Sequence, residues 1–133
     1  MTNFKLDFSV RDYECDIEKI VNNATYLNYL EHTRHEYLQT LGINFAQMHS
    51  KGINLVVVRA EIDYNYPLTS GDKFYVTANM VLEGKIRFVF YQEIYRVPDE
   101  KLILKAKITG TSISPTGRPF MPDEFKQAIQ NYQ

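Results

Sequence analysis

Residues 23–42, "NATYLNYLEHTRHEYLQTLG", carry the strongest helical pattern in the chain, and the predicted fold is built around them. The side chains that recur in it at spacings of three and four are Leu27, Leu30, Arg34, Tyr37, Leu38 and Leu41. This spacing predicts an amphipathic helix over residues 24–41. Asn22 or Asn23 can cap its first turn, because a short side-chain acceptor satisfies amides that the first turn leaves free. Gly42 follows as a helix stop.

The segments on either side of this helix alternate apolar and polar residues with the period of two that indicates half-buried strands. Strands are predicted over residues 4–10, 54–66, 74–82, 86–95 and 102–108, and short helices over residues 43–52 and 122–132. In the strand over residues 54–66, one face is predicted to carry Val56, Val58, Ala60, Ile62, Tyr64 and Tyr66. The turns at residues 67–72, 83–85 and 97–101 contain Pro or Gly, or are short enough to close hairpins.

This order of elements predicts a single α+β domain over residues 1–133, with an antiparallel five-stranded sheet wrapped around one long central helix. A chain of this length can bury a core without disulfides or metal. One helix leaves much of a five-stranded sheet uncovered, and long edge strands are usually paired or covered. We therefore expect the protein to associate at least into a dimer.

The composition excludes several classes of function. The net charge of −1 gives no overall attraction to nucleic acid or to an anionic membrane surface. The single cysteine, Cys15, cannot form an internal disulfide, and no Cys or His pair has the repeated spacing of a structural zinc site. The N-terminus "MTNFKLDF" lacks the apolar run of a signal peptide, and "LVVV" at residues 55–58 is too short to cross a bilayer. A cytoplasmic protein is therefore expected.

The connector "YECDIEKIVNN", residues 13–23, holds three acids and the cysteine just before the long helix. On the residues alone, Asp16 is best interpreted as an ordinary loop acid or helix cap. Glu14 and Glu18 are interpreted as solvated charges. Cys15 is interpreted as a small buried thiol, because no His stands near it as the partner that a nucleophilic cysteine needs.

Three stretches of the chain resemble the hotdog-fold acyl-CoA thioesterases of the 4-hydroxybenzoyl-CoA thioesterase type. They are "VRDYECDIEKIVNNATYLNYLEHTRHEYLQTLGI", "VVVRAEIDYNYPLTSGD" and "SPTGRPFMP", which together span nearly the whole chain. The segment from Asp16 to Asn23, followed by "YLNYLEHTR", is the most specific part. The resemblance implies active sites at the interface of a homodimer, or of a tetramer built as a dimer of dimers.

The resemblance also implies roles for individual residues. Asp16 would be the catalytic carboxylate, as a general base for water or as a nucleophile, and the main-chain amide of Asn23 would donate to the oxyanion. Around them, substrate contacts are expected from Tyr13, Val21, Asn22 and Tyr26. Many relatives carry Gly and then His where this chain has Lys19 and Ile20, so the pocket is expected to differ in shape and polarity.

The chemistry of thioester hydrolysis fits this junction. The first-turn amides of a helix have no intrahelical partners, and the helix dipole favours negative charge there, so an oxyanion is stabilised. Asp16 can activate water or attack directly, without a metal or cofactor. For the phosphates of coenzyme A, candidate cations are Arg59, Lys85 and Arg87, with Arg118 as a further one, although surface cations are common and often have no such role.

Two features of the long helix suggest other chemistry. Some hotdog thioesterases place their catalytic acid on this helix, which makes Glu31 an alternative, but the spacing of Glu31 and Arg34 favours an ion pair. His32 and His35 lie three residues apart, yet few potential ligands accompany them, so metal binding is not expected.

The leading hypothesis is an acyl-CoA thioester hydrolase. A thioesterase acting on acyl carrier protein uses the same chemistry on a different surface, and a non-catalytic module that binds an acyl group is a further alternative. The acid in the connector argues against the last. A hotdog dehydratase or hydratase would typically use a His with an acid, and the connector contains no His.

Overall fold

The computed structural model describes the backbone of residues 4–132 and the side chains of residues 4–129. It contains the strands β1 (Phe4–Ser9), β2 (Asn54–Tyr64), β3 (Lys73–Glu83), β4 (Arg87–Val97), β5 (Lys101–Ile113) and β6 (Pro119–Phe120), and the helices α1 (Asn23–Thr40), α2 (Phe45–Ser50) and α3 (Asp123–Tyr132). The five long strands and three helices lie where the sequence patterns predict them. The two-residue strand β6 and the short 3-10 turn Asp12–Glu14 were not predicted.

The five long strands form one antiparallel sheet in the order β1-β3-β4-β5-β2, and β6 pairs with β5. β3, β4 and β5 follow one another as hairpins. β1 pairs with β3, although α1, α2 and β2 lie between them in the sequence. The helix α1 packs against β1 and β3 on one face of the sheet. The predicted α+β architecture, an antiparallel sheet wrapped around one long helix, is confirmed.

The buried face of α1 differs slightly from the predicted stripe. Its buried members are Tyr26, Tyr29, Leu30, Thr33, Tyr37 and Leu38. Leu27, which the spacing places in the stripe, is 45% exposed. The helix is rotated so that its tyrosine rings enter the core, where they pack against rings from β1, β3 and β4. Aromatic side chains bury more area than a leucine does, so this rotation is favoured.

The face predicted for β2 is wrong in its first half, because the strand contains a β-bulge. The pairs on either side of the bulge are Val57 with Gly110 and Arg59 with Thr109. Val58 is the extra residue, and the alternation of faces shifts by one position there. Val56 therefore shares its face with Arg59 and lies opposite to Ala60.

The period of two predicted for the strands appears in β3 and β4 as one buried face on each. The members of the two strands that face the core and are buried are Phe74, Val76, Ala78, Met80, Phe88, Phe90 and Ile94. Leu82 and Ile86 are exceptions, since both are exposed near the β3–β4 turn. A polar residue, Gln92, is fully buried among these apolar side chains.

Candidate active site

The connector between β1 and α1 folds as a small antiparallel loop. Cys15 bridges Val21, and the Asp16 amide donates to the Ile20 carbonyl at 2.9 Å. A second bridge, between Ile20 and Thr69, ties this loop to the turn before β3. The connector is thus held on one side by its own backbone and on the other by the sheet.

The N-terminus of α1 leaves one main-chain amide without a partner. Asn22 is the cap, since its Oδ1 accepts from the Ala24 amide at 2.9 Å and its carbonyl accepts from the Thr25 amide at 2.9 Å. No acceptor for the Asn23 amide is found within residues 4–132. Because Asn22 fills the capping position, Asp16 does not cap the helix.

A cavity of about 220 Å³ opens at this helix terminus. Its lining residues are Ile20, Val21, Asn23, Tyr26, Tyr64, Asn65, Tyr66 and Pro67. The structure thus brings three predicted site residues together, namely Val21, Asn23 and Tyr26. The end of β2 and the turn after it form the opposite wall, which the sequence did not predict. The run of aromatic residues before Pro67 was the only signal available for it.

Asp16 lies at the tip of the connector with its carboxylate exposed, and it does not line this cavity. Its Oδ1 accepts from the Glu18 amide at 2.9 Å. Two residues before it, the Glu14 carbonyl accepts from the Asn22 amide at 3.0 Å. Glu14 therefore lies beside the helix cap, and Asp16 is two residues of extended chain, or about 7 Å, further away.

Lys19 and Ile20, where the resemblance leads us to expect Gly and His, have clear structural roles. Lys19 has a φ of 65°, the left-handed region that favours glycine. A glycine at this position would adopt the same positive φ without the steric cost of a Cβ. Ile20 is half-buried and contributes an apolar surface to the cavity where a histidine would contribute a polar one.

Glu14 is not the solvated charge that the sequence suggested. Its Oε1 accepts from the Tyr29 hydroxyl at 2.8 Å and from the Arg11 amide at 2.8 Å. Tyr29 is a buried residue of α1, so this carboxylate links the connector to the central helix. The sequence could not reveal the link, since Glu14 and Tyr29 are 15 residues apart.

Cys15 is half-buried and packs against the core. Burial is the main reason that the pKa of its thiol is raised, with smaller contributions from the negative charges of Asp12 and Asp16. A raised pKa keeps the neutral thiol, which is a poor nucleophile. This supports the interpretation of Cys15 as a bystander.

Four other predicted substrate contacts do not line this cavity, namely Tyr13, Arg59, Lys85 and Arg87. Tyr13 is 75% exposed, and its hydroxyl accepts from Arg11 Nη1 at 2.7 Å. Arg59 pairs with Glu61 at 3.4 Å on β2, five residues or about 17 Å along the strand from Tyr64. Lys85 and Arg87 are exposed at the β3–β4 turn. These assignments remain predictions.

The predicted ion pair between Glu31 and Arg34 is absent, because no carboxylate of the described chain lies within ion-pair distance of Arg34. His32 and His35 pack against the rings of Phe8 and Phe45. Within residues 4–132, no three His, Cys, Asp or Glu side chains are close enough to hold a metal ion. Over the same residues, no helix combines the length and apolarity that a membrane span requires.

Comparison with known proteins identifies the family. Residues 10–129 match the model of the Thioesterase-like superfamily. The acyl-acyl carrier protein thioesterase ATL3 of Arabidopsis thaliana is 39% identical over 115 residues, and the match covers 86% of this chain but 60% of ATL3. The long-chain acyl-CoA thioesterase FadM of Escherichia coli is 34% identical, with 78% of each chain covered.

Among solved structures, the 1,4-dihydroxy-2-naphthoyl-CoA thioesterase Slr0204 of Synechocystis superposes with a TM-score of 0.91 at 21% identity, covering 98% of both chains. This similarity confirms the hotdog fold. The resemblance noted from the sequence is confirmed at the level of the superfamily, while the 4-hydroxybenzoyl-CoA type remains a prediction. From its fold and its family match, the chain belongs to the Thioesterase-like superfamily.

Proposed function

We propose that the protein hydrolyses acyl thioesters, with the Asn23 amide as oxyanion donor and Asp16 as the catalytic carboxylate. The observation that carries the proposal is that Asn23 lines a cavity at the N-terminus of α1 and that its main-chain amide has no acceptor among residues 4–132. The helix dipole adds partial positive charge at this point. A thioester carbonyl placed there would therefore gain stabilisation as its oxygen becomes negative.

Asp16 supplies the second half of the reaction in this proposal. As a general base it would take a proton from water, and as a nucleophile it would form an anhydride that water then hydrolyses. Its exposed position at the tip of the connector leaves the carboxylate accessible to either route. Both routes give the free acid and the thiol as products.

The Asn23 amide can be removed by a single substitution that the first turn of a helix tolerates. Proline is tolerated at the first position of a helix, and Asn22 already has the extended backbone, with φ −64° and ψ 139°, that a residue before proline requires. Asn23→Pro removes the amide donor and should lower kcat by roughly 100-fold to 1,000-fold. Asn23→Ala is the control, because it removes the same side chain but keeps the main-chain donor.

The same assay tests Asp16. Free thiol released from acyl-CoAs of several chain lengths is measured for the wild type, Asp16→Asn and the neighbouring exposed acid variant Glu18→Gln. Asp16→Asn should lose at least about 100-fold in kcat, and Glu18→Gln should stay near the wild type. Full activity in Asp16→Asn would remove Asp16 from the mechanism. Binding of acyl-CoA without any turnover by the wild type would favour the non-catalytic acyl-binding module.

Coenzyme A is the carrier that we propose for the acyl group. FadM, named as a long-chain acyl-CoA thioesterase, is similar to this chain over most of both proteins. A second candidate is an acyl group on acyl carrier protein, which the similarity to ATL3 favours. Turnover of one acyl group presented on both carriers separates the two, and a strong preference for the carrier protein would overturn the first choice.

We further propose a homodimer formed through β2, alone or within a tetramer of two dimers. β2 is one edge of the sheet, and its residues Val56, Val57 and Val58 are 39%, 54% and 44% exposed. Pairing of this edge with that of a second copy would cover them. Val57→Lys should lower the mass measured by light scattering to that of one chain, and an unchanged mass would refute this interface.

A further inference from the structure

A second cavity, of about 330 Å³, lies between α1, α2 and the first half of β2. Its apolar walls include Leu38, Phe45, Leu55, Phe88, Phe90 and Ile108. Glu31, the alternative catalytic acid considered from the sequence, lines this cavity, whereas Asp16, Asn23 and the expected substrate contacts do not. A concave, mostly apolar space of this size with a few polar groups is typical of a small-molecule site.

Gly110 keeps this cavity open at its base. A Cβ at this position would lie 2.7 Å from Cε2 of Phe88 and 2.9 Å from the Val56 carbonyl oxygen. Any other residue would therefore displace the Phe88 ring or the β2 backbone, both of which line the cavity. The absence of a side chain is thus a requirement of the cavity wall.

The guanidinium of Arg34 lies in one wall of the cavity and is held by a hydrogen bond to the buried side chain of Gln92. Gln92 is fully buried, and its Nε2 donates to the Leu30 carbonyl at 3.1 Å and the Thr77 carbonyl at 3.4 Å. These bonds turn Oε1 towards Arg34, whose Nη1 donates to it at 3.1 Å. The Arg34 guanidinium also lies 5.8 Å from the centre of the Phe90 ring.

Most hydrogen-bonding capacity of Arg34 is unused. A guanidinium has five N–H donors, and Gln92 Oε1 is the one acceptor found for Arg34 within residues 4–132. Burial lowers the pKa of Arg34, and the charge of Glu31 partly offsets this effect. Glu31 also lines the cavity, and its negative charge partly balances that of Arg34, whereas His35 and His49 supply further polar groups at the rim. A neutral oxygen acceptor suits this setting better than a second carboxylate.

We propose that this cavity receives the distal part of the acyl group and that Arg34 donates to a hydroxyl or carbonyl oxygen on it. The substrate class would then be acyl thioesters whose chain carries an oxygen far from the thioester. This inference rests on the proposed function, since it assumes that the thioester carbonyl lies at Asn23. Arg34 is eleven residues further along α1, or about 16 Å.

α1 and β2 contribute residues to both cavities, and in this proposal the acyl chain runs between these two elements. The first cavity is bounded by Tyr64 and the second by Leu55 and Val57, at opposite ends of β2. Between them, the residues of β2 that face the helix side are Ala60 and Ile62. Ala60 is small and exposed, so it leaves room for a chain to lie along the strand.

The test compares dodecanoyl-CoA with a series of hydroxydodecanoyl-CoAs that carry the hydroxyl at successive carbons. Hydrolysis is measured for the wild type, Arg34→Met and Arg34→Lys. Lys126→Met is the control, because it removes one positive charge at an exposed position on α3, away from the cavity. The wild type should prefer a distal hydroxyl by at least about tenfold in kcat/KM, the factor that a hydrogen bond to a charged donor gives. Arg34→Met should abolish this preference, so that the hydroxydodecanoyl-CoAs and dodecanoyl-CoA are hydrolysed with similar kcat/KM.

Calorimetric binding of the free hydroxydodecanoic and dodecanoic acids to the same proteins makes the inference independent of turnover. The hydroxy acid should bind the wild type more tightly, and Arg34→Met should lose the difference. If Arg34→Met fails to fold, Arg34→Lys decides, since lysine keeps the charge without the planar fork and should lower the preference. Equal binding of both acids, or the same preference in all four proteins, would overturn the role of Arg34. Absence of any thioester turnover with a retained binding difference would instead refute the proposed function.

Discussion

Replacing Tyr29 by Phe removes one hydroxyl from the contact that joins α1 to the connector. The hydroxyl donates to Glu14 Oε1 at 2.8 Å, and the ring lies 5.4 Å from Phe8 and 4.8 Å from Phe74 between ring centres. Phenylalanine keeps the ring contacts, so the loss is that of a hydrogen bond to a charged acceptor. Because Glu14 is half-buried, we expect the lower end of the usual range, about 1.5 kcal/mol of unfolding free energy.

The effect should depend on pH in a defined direction. Burial, together with the hydrogen bond to Glu14, raises the pKa of Tyr29 above its ordinary value. Because the pKa is raised in the folded state, the protonated hydroxyl contributes its full stabilisation below the unfolded pKa of about 10. This stabilisation is lost as the pH rises further. The stability difference between the wild type and Tyr29→Phe should therefore be constant near neutral pH and shrink above about pH 10.

Urea unfolding followed by circular dichroism at several pH values measures this difference. Tyr37→Phe is the matched control, because Tyr37 is also buried on α1 but its hydroxyl accepts from the Met80 amide at 3.3 Å, away from the connector. Tyr29→Phe should lower kcat for thioester hydrolysis as well as stability, whereas Tyr37→Phe should lower stability alone. Equal stability of Tyr29→Phe and the wild type, or a difference that grows above pH 10, would refute the assigned role of this contact.

Three further outcomes are expected. Asn22→Ala should cost about 1 kcal/mol in urea unfolding, because the Ala24 amide loses its acceptor, while Asn22→Ser should retain most of the stability; equal losses would argue against the cap. Gly110→Ala should cost about 1 to 3 kcal/mol through the contact with Phe88, and a neutral result would show that the cavity wall can move. Cys15 should react slowly with a disulfide reagent at neutral pH and rapidly after unfolding, since burial raises the pKa of its thiol; fast reaction in the folded protein would contradict this.

The sequence by itself determined the elements of the fold. The spacings of three and four in residues 23–42 predicted α1, and the alternation in the later segments predicted the five long strands. These patterns are readable because a helix or strand that buries one face repeats its apolar residues with the period of its own backbone. The cap at Asn22 and the stop at Gly42 were predictable for the same reason, since each depends on residues next to it in sequence.

The tertiary structure decided what depends on distant partners. The bulge in β2 arises from its pairing with β5, and it reverses the face of Val56. Glu14 is a link to α1 because Tyr29 folds over it, and Arg34 has its buried acceptor in Gln92, 58 residues away. Contacts between residues far apart in the sequence produce no repeating pattern of apolar positions. The polarity of one side chain does not show which distant residue it will contact. A catalytic role for Asp16 is expected only from family resemblance. That the Asn23 amide has no acceptor among residues 4–132 depends on how the acceptors around the helix terminus are arranged in space.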